Sequence, residues 1–413
     1  MAAVSDAKTR TCRLLNIPVD IGHEIWEYID DSATFRSLSL TSKALVPMAQ
    51  RRIFHSLRFQ PSNALLTDGT PRKSRKGQLL ASKARLVGLA RSSHLLSYVK
   101  TLSIEREYEY DSTRFDSEPD EFDFLQNTLS ECVSRMTRVT SVSVNGFQLV
   151  PRLMDALLIV MERQPIRLEM ESVRLPDPSW PITTTKLVEF EVNCGALLVG
   201  PTHQVVQHLA RSSQETLRLL SLTRYDAHAA TTILSYSFPN LTSLDLSYSF
   251  NEDDELSPIT SFITQHPLLT CLRLVDVPIR IDPDAVPMLT EVGGSSMTVI
   301  TALWNKRPIN TVTVRIKTLV DLVDVSGTLK QTSGARITYL HIIFEDNPPL
   351  WAHLAVALQT ATPNLVSLVV DLYADVVRHP LSFKAPNIIL TDLPTARKGY
   401  LRDTRTFYRV WVT

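Results

Sequence analysis

Length, composition and charge exclude several classes of protein. The chain has 413 residues, of which 44% are hydrophobic and 21% charged, so it is neither mostly disordered nor a single small domain. Lysine and arginine number 43, as do aspartate and glutamate, and this balance disfavours a strongly basic nucleic-acid binder. The longest apolar run, residues 156–161, is far too short to span a membrane. The four cysteines are too widely spaced for a zinc pair or a dense disulfide framework, so we expect a cytoplasmic or nuclear protein without membrane or nucleic-acid partners.

The N-terminal segment, residues 14–59, has helical spacing of its apolar residues. Ile17, Ile21, Ile25 and Ile29 recur every four residues, and Pro18 lies in the first turn of the helix that they predict. So short a segment buries only a small core, and a partner is needed to cover its apolar surface. The pattern therefore predicts a helical docking module.

Two blocks of charge follow this segment. Residues 69–104 contain eight basic residues and no acidic one, and residues 105–123 contain nine acidic residues and two basic ones. A basic block is typical of nuclear import and an acidic block of an interaction tail, whereas both are also typical of solvated loops. The sequence leaves these alternatives open.

A motif of the form Leu-x-x-Leu-x-Leu recurs through residues 94–373. Its clearest copies are LTSLDL at 241–246 and LTCLRL at 269–274, whereas the copy at 166–170 is one residue short and the copy at 289–294 ends in glycines. The eight steps between the fourth positions of the copies at 168 and 368 give a mean period of 25 residues, which is typical of leucine-rich repeats. The fourth positions of all eleven copies are residues 102, 142, 168, 190, 220, 244, 272, 292, 312, 340 and 368.

Helical segments lie between several copies of the motif. Residues 155–162, 256–265 and 351–358 have helical spacing, and a proline follows each of them, which favours an end to the helix before the next strand. Ser257 followed by Pro258 predicts a helix cap. Strands that alternate with helices at this period predict an α/β solenoid with parallel strands on the concave face and helices outside.

Two neighbouring copies of the motif are unusually acidic. Alternation along the strands turns Leu168, Met170, Phe190 and Val192 into the core, so their neighbours face the other side. Those neighbours are Arg167, Glu169, Glu171, Glu189, Glu191 and Asn193. Four glutamates with one nearby arginine predict a binding patch for a lysine- or arginine-rich segment of a target, and the alternative is a solvated, screened face.

The sequence contains no motif that predicts catalysis. It has no phosphate-binding loop, dinucleotide-binding glycine pattern, nucleophile elbow or zinc-protease motif. The spacing of His203, His208 and His228 matches no common metal site. We therefore expect no catalytic residue, no metal and no cofactor.

The N-terminal segment resembles an F-box. Ile17 and Pro18 match the Leu-Pro opening of that family, Asp20 matches its acidic position, and the isoleucines match its helical stripe. The second half of the family pattern is matched by Leu38, Leu40, Ser42 and Lys43. Thr41 and Leu45 depart from it, because the family prefers valine and often has tryptophan there.

The rest of the chain is similar to the large F-box and leucine-rich-repeat families of mushroom-forming fungi. The similarity lies in residues 51–57 (RRIFHSL), 95–104 (LLSYVKTLSI) and 238–246 (FPNLTSLDL). This resemblance implies a non-catalytic substrate receptor of an SCF-type ubiquitin ligase, whose F-box docks a Skp-family adaptor and the cullin scaffold and whose repeats bind an unknown protein target. The implied adaptor-binding residues are Ile17, Pro18, Ile21, Ile25, Leu38, Leu40 and Lys43. The alternative is a leucine-rich-repeat scaffold outside any ligase, whose N-terminal helices only cap the solenoid.

The predicted organisation has five parts. A tail, residues 1–13, precedes the F-box at 14–59, and a linker with the first helix of the solenoid occupies 60–93. The solenoid follows at 94–373. Residues 374–413 close its end as a cap, because a repeat array needs a polar terminus.

Overall fold

A computed structural model describes residues 29, 31–41, 43–60, 75–105, 119–176, 184–194, 201–247, 256–275, 277–304, 307–332, 334–344, 361–372, 388–392 and 406–412. The α-helices in these ranges are α1 Ser32–Thr41, α2 Val46–Ile53, α3 Arg75–Ala90, α4 Ser93–Leu96, α5 Pro119–Ser134, α6 Pro151–Arg163, α7 Pro201–Ser212, α8 Ala227–Leu234, α9 Ser257–Gln265, α10 Ser296–Leu303 and α11 Leu319–Gln331. The strands are β1 Ser56–Phe59, β2 Thr101–Glu105, β3 Ser141–Asn145, β4 Ile166–Glu171, β5 Leu187–Asn193, β6 Leu219–Thr223, β7 Ser243–Ser247, β8 Cys271–Val275, β9 Glu291–Ser295, β10 Thr311–Ile316, β11 Tyr339–Phe344, β12 Ser367–Leu372, β13 Ile388–Asp392 and β14 Thr406–Val412.

The strands form a sheet in chain order. Strands β1 to β12 are all parallel, and β14 and then β13 follow β12 in antiparallel orientation. Helices lie between many of the parallel strands, as right-handed crossovers require. The structure therefore confirms an α/β class with a solenoid-like array of parallel strands. The chain divides into two compact units, residues 1–143 with 150–160 and residues 144–149 with 161–413.

The first unit contains the N-terminal helices and the first strands. Helix α1 begins after Asp31, whose carboxylate accepts the backbone N–H groups of Ala33 at 2.9 Å and Thr34 at 3.0 Å. Backbone hydrogen bonding from Ala33 is the main reason why the pKa of Asp31 lies below its ordinary value. Strand β1 was not predicted, because helical spacing was expected through residue 59. It pairs with β2 and places Leu57 opposite Leu102.

The second unit repeats one register across its strands. Leu168, Phe190, Leu220 and Leu244 lie directly opposite one another on successive strands, and the row continues to Leu368 on β12. The eleven fourth positions predicted from the sequence are all buried, with relative exposures between 0% and 8%. Helices cover this buried side: α7 contacts β5, α10 contacts β9 and β10, and α11 contacts β10. The sequence prediction of the core positions is therefore confirmed.

The two poor copies of the motif also form strands. The copy at 166–170 is one residue short, and the pairing of β4 with β5 shifts between Ile166 and Arg167, so that Val188 is the extra residue on β5. This irregularity brings Leu168 opposite Phe190. In the copy at 289–294, Val292 takes the fourth position and Gly294 takes the sixth.

Side chains join consecutive repeats at the entry to the strands. The backbone N–H of Phe238 donates to Nε2 of His266 at 3.0 Å, and Nδ1 of His266 lies 2.6 Å from the carbonyl oxygen of Phe262. Both ring nitrogens are thus engaged, as a buried imidazole requires. Burial lowers the pKa of His266 from its ordinary value. Asn240 and Asn364 each donate to a carbonyl of the preceding repeat.

Two predictions about helices have different outcomes. The helices expected at 155–162 and 256–265 correspond to α6 and α9, whereas residues 351–358 lie outside the described residues. The predicted cap at Ser257 is wrong. The N-cap of α9 is Leu256, which makes no side-chain capping bond, because Ser257 and Pro258 are already helical.

Gly294 occupies a position that no other residue fits. Its φ of +153° is unfavourable for residues with a side chain, and a Cβ atom there would lie 2.7 Å from the carbonyl oxygen of Leu274. Helix α10 begins two residues later, which leaves no space for the leucine that the motif predicts. By contrast, a Cβ atom on Gly327 in α11 would meet nothing within 4 Å.

We expect Gly294→Ala to lower the free energy of unfolding by about 2 kcal/mol or more, from backbone strain and overpacking. Gly327→Ala is the control and is expected to raise it by about 0.5 to 1 kcal/mol, because alanine favours a helix interior. Urea unfolding measures both. Equal stability of the two variants would contradict this account of Gly294.

Candidate functional site

The candidate site is the side of the sheet opposite the buried row, which we call the open face. On β4, β5, β7 and β8 the side chains next to the buried positions stay partly exposed. In register across β4 to β8 lie Glu169, Glu191, Ser221, Asp245 and Arg273, of which Ser221 on β6 is buried. Adjacent parallel strands are about 4.8 Å apart, so side chains on neighbouring strands of this row lie close enough to interact. The alternating burial of β4 and β5 places Glu169 and Glu191 on the open face, where the sequence predicts them.

Arg167 forms ion pairs with two of the glutamates. Nη2 of Arg167 lies 2.7 Å from Oε1 of Glu191, and Nε of the same guanidinium lies 3.4 Å from Oε2 of Glu189. All three side chains are partly exposed, so each contact contributes at most about 1 kcal/mol of stability. A single guanidinium therefore leaves the group of four glutamates with a net negative charge.

Glu171 lies beside two asparagines with unused acceptors. Nδ2 of Asn145 donates to Oε2 of Glu171 at 2.7 Å, and Asn193 lies opposite Glu171 on β5. The side-chain oxygens of Asn145 and Asn193 are both buried without a hydrogen-bond partner. A buried acceptor without a donor is unfavourable, so this end of the patch favours a ligand that donates hydrogen bonds.

The surroundings of two acids oppose their ionisation. Burial raises the pKa of Glu191, and the negative charges of Glu169 and Glu189 add to this, while Arg167 acts in the opposite direction. Burial likewise raises the pKa of Asp245; Arg273 opposes the increase and the negative charge of Glu191 adds to it. A cation bound between these carboxylates would relieve both effects.

The open face extends beyond the four predicted glutamates. On β8, Nε of Arg273 donates to Oε1 of Glu291 at 2.7 Å, so the arginine that opposes the pKa increase of Asp245 is paired with another acid. The sequence analysis missed Asp245, Arg273 and Glu291. Asp245 and Arg273 occupy the fifth positions of LTSLDL and LTCLRL, so the alternation that identified Glu169 also applies to them.

The predicted adaptor-binding residues fall into two groups. Ile17, Pro18, Ile21 and Ile25 lie outside the described residues. Of the others, Leu38 is half-buried, and Leu40 and Lys43 are exposed, with 88% of Leu40 accessible.

The N-terminal helices enclose a small apolar cluster. Phe35, Leu45 and Ala49 are buried, and partly buried side chains pack against them. These partly buried side chains are Ile29, Leu38, Met48 and Ile53. Within the described residues of the N-terminal segment, three buried side chains form a very small core. Leu40 on α1 is exposed and does not belong to this cluster.

No family model matches this chain, and no curated protein matches it either. Within the described ranges, no helix has both the length and the apolar character needed to cross a membrane. The same ranges contain no group of three or more histidine, cysteine, aspartate or glutamate side chains placed to hold a metal ion.

We expect Asp245→Asn to raise the free energy of unfolding at pH 7. Because burial raises the pKa of Asp245, the folded state holds this proton more tightly than the unfolded state does, and stability is lost as the pH rises above the ordinary value of 3.8. The gain from asparagine should therefore shrink as the pH is lowered towards that value. Urea unfolding at several pH values measures this. A variant less stable than the parent at pH 7 would mean that attraction to Arg273 outweighs burial.

Proposed function

We propose that this protein is a substrate receptor of an SCF-type ubiquitin ligase in the cytoplasm or nucleus. In this proposal the N-terminal segment is an F-box that docks a Skp-family adaptor, and through it the cullin scaffold. The remainder is a leucine-rich-repeat solenoid that binds a target protein. Catalysis belongs to other subunits, so the chain itself is a non-catalytic receptor.

The observation that carries the proposal is the unsatisfied apolar surface of the N-terminal helices. Leu40, a large apolar side chain at the end of α1, is almost fully exposed, and among the described residues the cluster of these helices buries Phe35, Leu45 and Ala49. A small helical module with such a surface favours a partner that covers it. This supports a docking role for the segment that resembles an F-box.

The open face supports the receptor half of the proposal. Glu169, Glu171, Glu189 and Glu191 are four acidic side chains, and Arg167 pairs with two of them, Glu189 and Glu191. The free acceptors of Asn145 and Asn193 lie at the same end. A lysine- or arginine-rich segment would supply both positive charge and hydrogen-bond donors.

One observation favours the alternative of a scaffold outside any ligase. Strand β1, at the end of the N-terminal segment, pairs with β2, and the backbone N–H of Lys100 donates to the carbonyl oxygen of His55 at 2.9 Å. The N-terminal segment thus continues the parallel ladder, as a permanent cap would. Binding of the adaptor decides between the two functions.

We expect Leu40→Asp to reduce binding of a purified Skp-family adaptor at least tenfold, because an unpaired charge would replace an apolar contact. Leu40 is exposed, so the variant should fold normally. Met288→Asp, at another exposed apolar side chain, is the control and should bind the adaptor like the parent. Failure of the parent chain to bind any such adaptor would favour the scaffold function.

We expect the combined replacement of Glu169, Glu171, Glu189 and Glu191 by glutamine to abolish capture of a target while adaptor binding is retained. Removing four like charges should leave the free energy of unfolding equal or higher. The salt dependence of any residual target binding should flatten. Co-purification with mass spectrometry at two salt concentrations measures this. Unchanged target capture by the quadruple variant would exclude the glutamate patch as the binding site.

A further inference from the structure

A groove lies on the helical side of the second unit, away from the residues of the open face. It has a volume of about 780 Å³ and is formed by α9, α10, α11 and the segment at 280–283. Its lining includes Arg280, Asp282, Met297, Ile300, Trp304 and Asp324. Neither the sequence analysis nor the proposed receptor function accounts for this groove.

The apolar lining comes from one face of α10. Met297, Ile300 and Trp304 lie three and four residues apart, so they form a stripe along the helix and its C-cap. Met297 is 42% exposed and Trp304 is 57% exposed. Burial of these exposed apolar side chains against a partner would be favourable, and tryptophan is among the residue types enriched at the energetic centres of protein interfaces.

The charged lining is acidic. Three carboxylates, those of Asp282, Asp321 and Asp324, face one guanidinium, that of Arg280. Asp321 is engaged in the fold, because it accepts from the hydroxyl of Ser296 at 2.5 Å and caps α11. Asp324 is exposed and, within the described part of the chain, its carboxylate forms no ion pair. The groove therefore combines apolar surface with a net negative charge.

A buried arginine fixes the shape of the groove. The guanidinium of Arg307 donates to the carbonyl oxygens of Asp282 at 2.6 Å and Ala285 at 2.9 Å on one side, and of Ala302 at 2.8 Å on the other. These bonds join the segment at 282–285 to the C-terminal end of α10, where a cation is also favoured by the helix dipole. Two walls of the groove are thus held together before any ligand binds, which lowers the entropic cost of binding.

We propose that this groove binds a basic segment of a partner protein. The segment places a large apolar side chain against Trp304 and Met297 and sets lysine or arginine side chains against Asp282 and Asp324. Charge complementarity identifies the occupant. Asp282 already interacts with the guanidinium of Arg307, whereas Asp324 is exposed, and a neutral or acidic apolar segment would leave its carboxylate unpaired or repelled. The inference does not depend on the ligase function, since it uses none of the residues of the open face or of the N-terminal helices.

The test uses two fluorescein-labelled peptides of twelve residues and the full chain. One peptide consists of leucine and lysine in helical spacing, and the other has glutamate in place of each lysine. We expect the lysine peptide to bind in a fluorescence anisotropy titration and the glutamate peptide to bind at least tenfold more weakly. Trp304→Ala and Asp324→Asn should each weaken binding of the lysine peptide, the first at least tenfold.

Matched variants separate the groove from other acidic or apolar surfaces. Trp304→Phe should retain most of the binding, and Val366→Ala, at a side chain 67% exposed outside the groove, should bind like the parent. The open face is itself proposed to bind basic segments, so Trp304→Ala is also measured in the quadruple glutamine variant of the open face. That variant should retain binding through the groove. Loss of binding in it, or unchanged binding when Trp304→Ala is added to it, would overturn the proposal.

The alternative ligand of this groove is a second copy of the chain. Sedimentation analysis of the parent and of Trp304→Ala distinguishes this case, because both should have the same oligomeric state if the groove binds a different protein. A dimer that dissociates on replacement of Trp304 would overturn the proposal in favour of self-association. Because Trp304 is exposed, its replacement should leave the thermal unfolding of the chain unchanged.

Discussion

A continuous row of buried side chains at the fourth position of each repeat is the constraint on which the rest of this structure depends. Each such side chain gains roughly 1.5 to 3 kcal/mol from burial, and its neighbours on both adjacent strands complete its contacts. Leu220, Leu244 and Leu272 show this directly, since they face one another and are fully buried. A slip of one residue would turn a whole strand's apolar set outward, so the row also determines which residues reach the open face.

The row is maintained although the sequence between its members varies. The step from Leu272 to Val292 is 20 residues and the step from Phe190 to Leu220 is 30. Differences in length are absorbed in the connecting segments, or in an irregularity such as the one at Val188, and not in the register. Loop length costs little free energy, whereas loss of register would expose many apolar side chains at once, and this difference explains why the register is constant.

Periodicity in the sequence was sufficient to predict the buried fourth positions of β2 to β12, because these depend only on the motif and on alternation along the chain. It was not sufficient for β1, where SLRF lacks the spacing of the motif and is a strand only because β2 pairs with it. The contacts of Arg167 with Glu189 and Glu191 depend on side-chain rotamers, which alternation does not determine. The groove at Trp304 needed the structure for another reason. Its lining comes from three successive helices and the segment at 280–283, and periodicity does not determine how these pack together. The buried arginine that joins two of its walls, Arg307, resembles any other surface cation in the sequence.

The open face is not arranged for stability. Asp245 and Glu191 are ionisable groups whose burial works against their charged forms, and the amide oxygens of Asn145 and Asn193 are buried without donors. Hydrophilic side chains without charge would satisfy the alternation of the strands equally well. Unfavourable polar groups concentrated on one surface are typical of binding sites, where a ligand supplies the missing donors and charge. Because the whole chain is electrically neutral and salt screens charges beyond about 8 Å, such a ligand would respond to this local group of carboxylates and not to the protein as a whole.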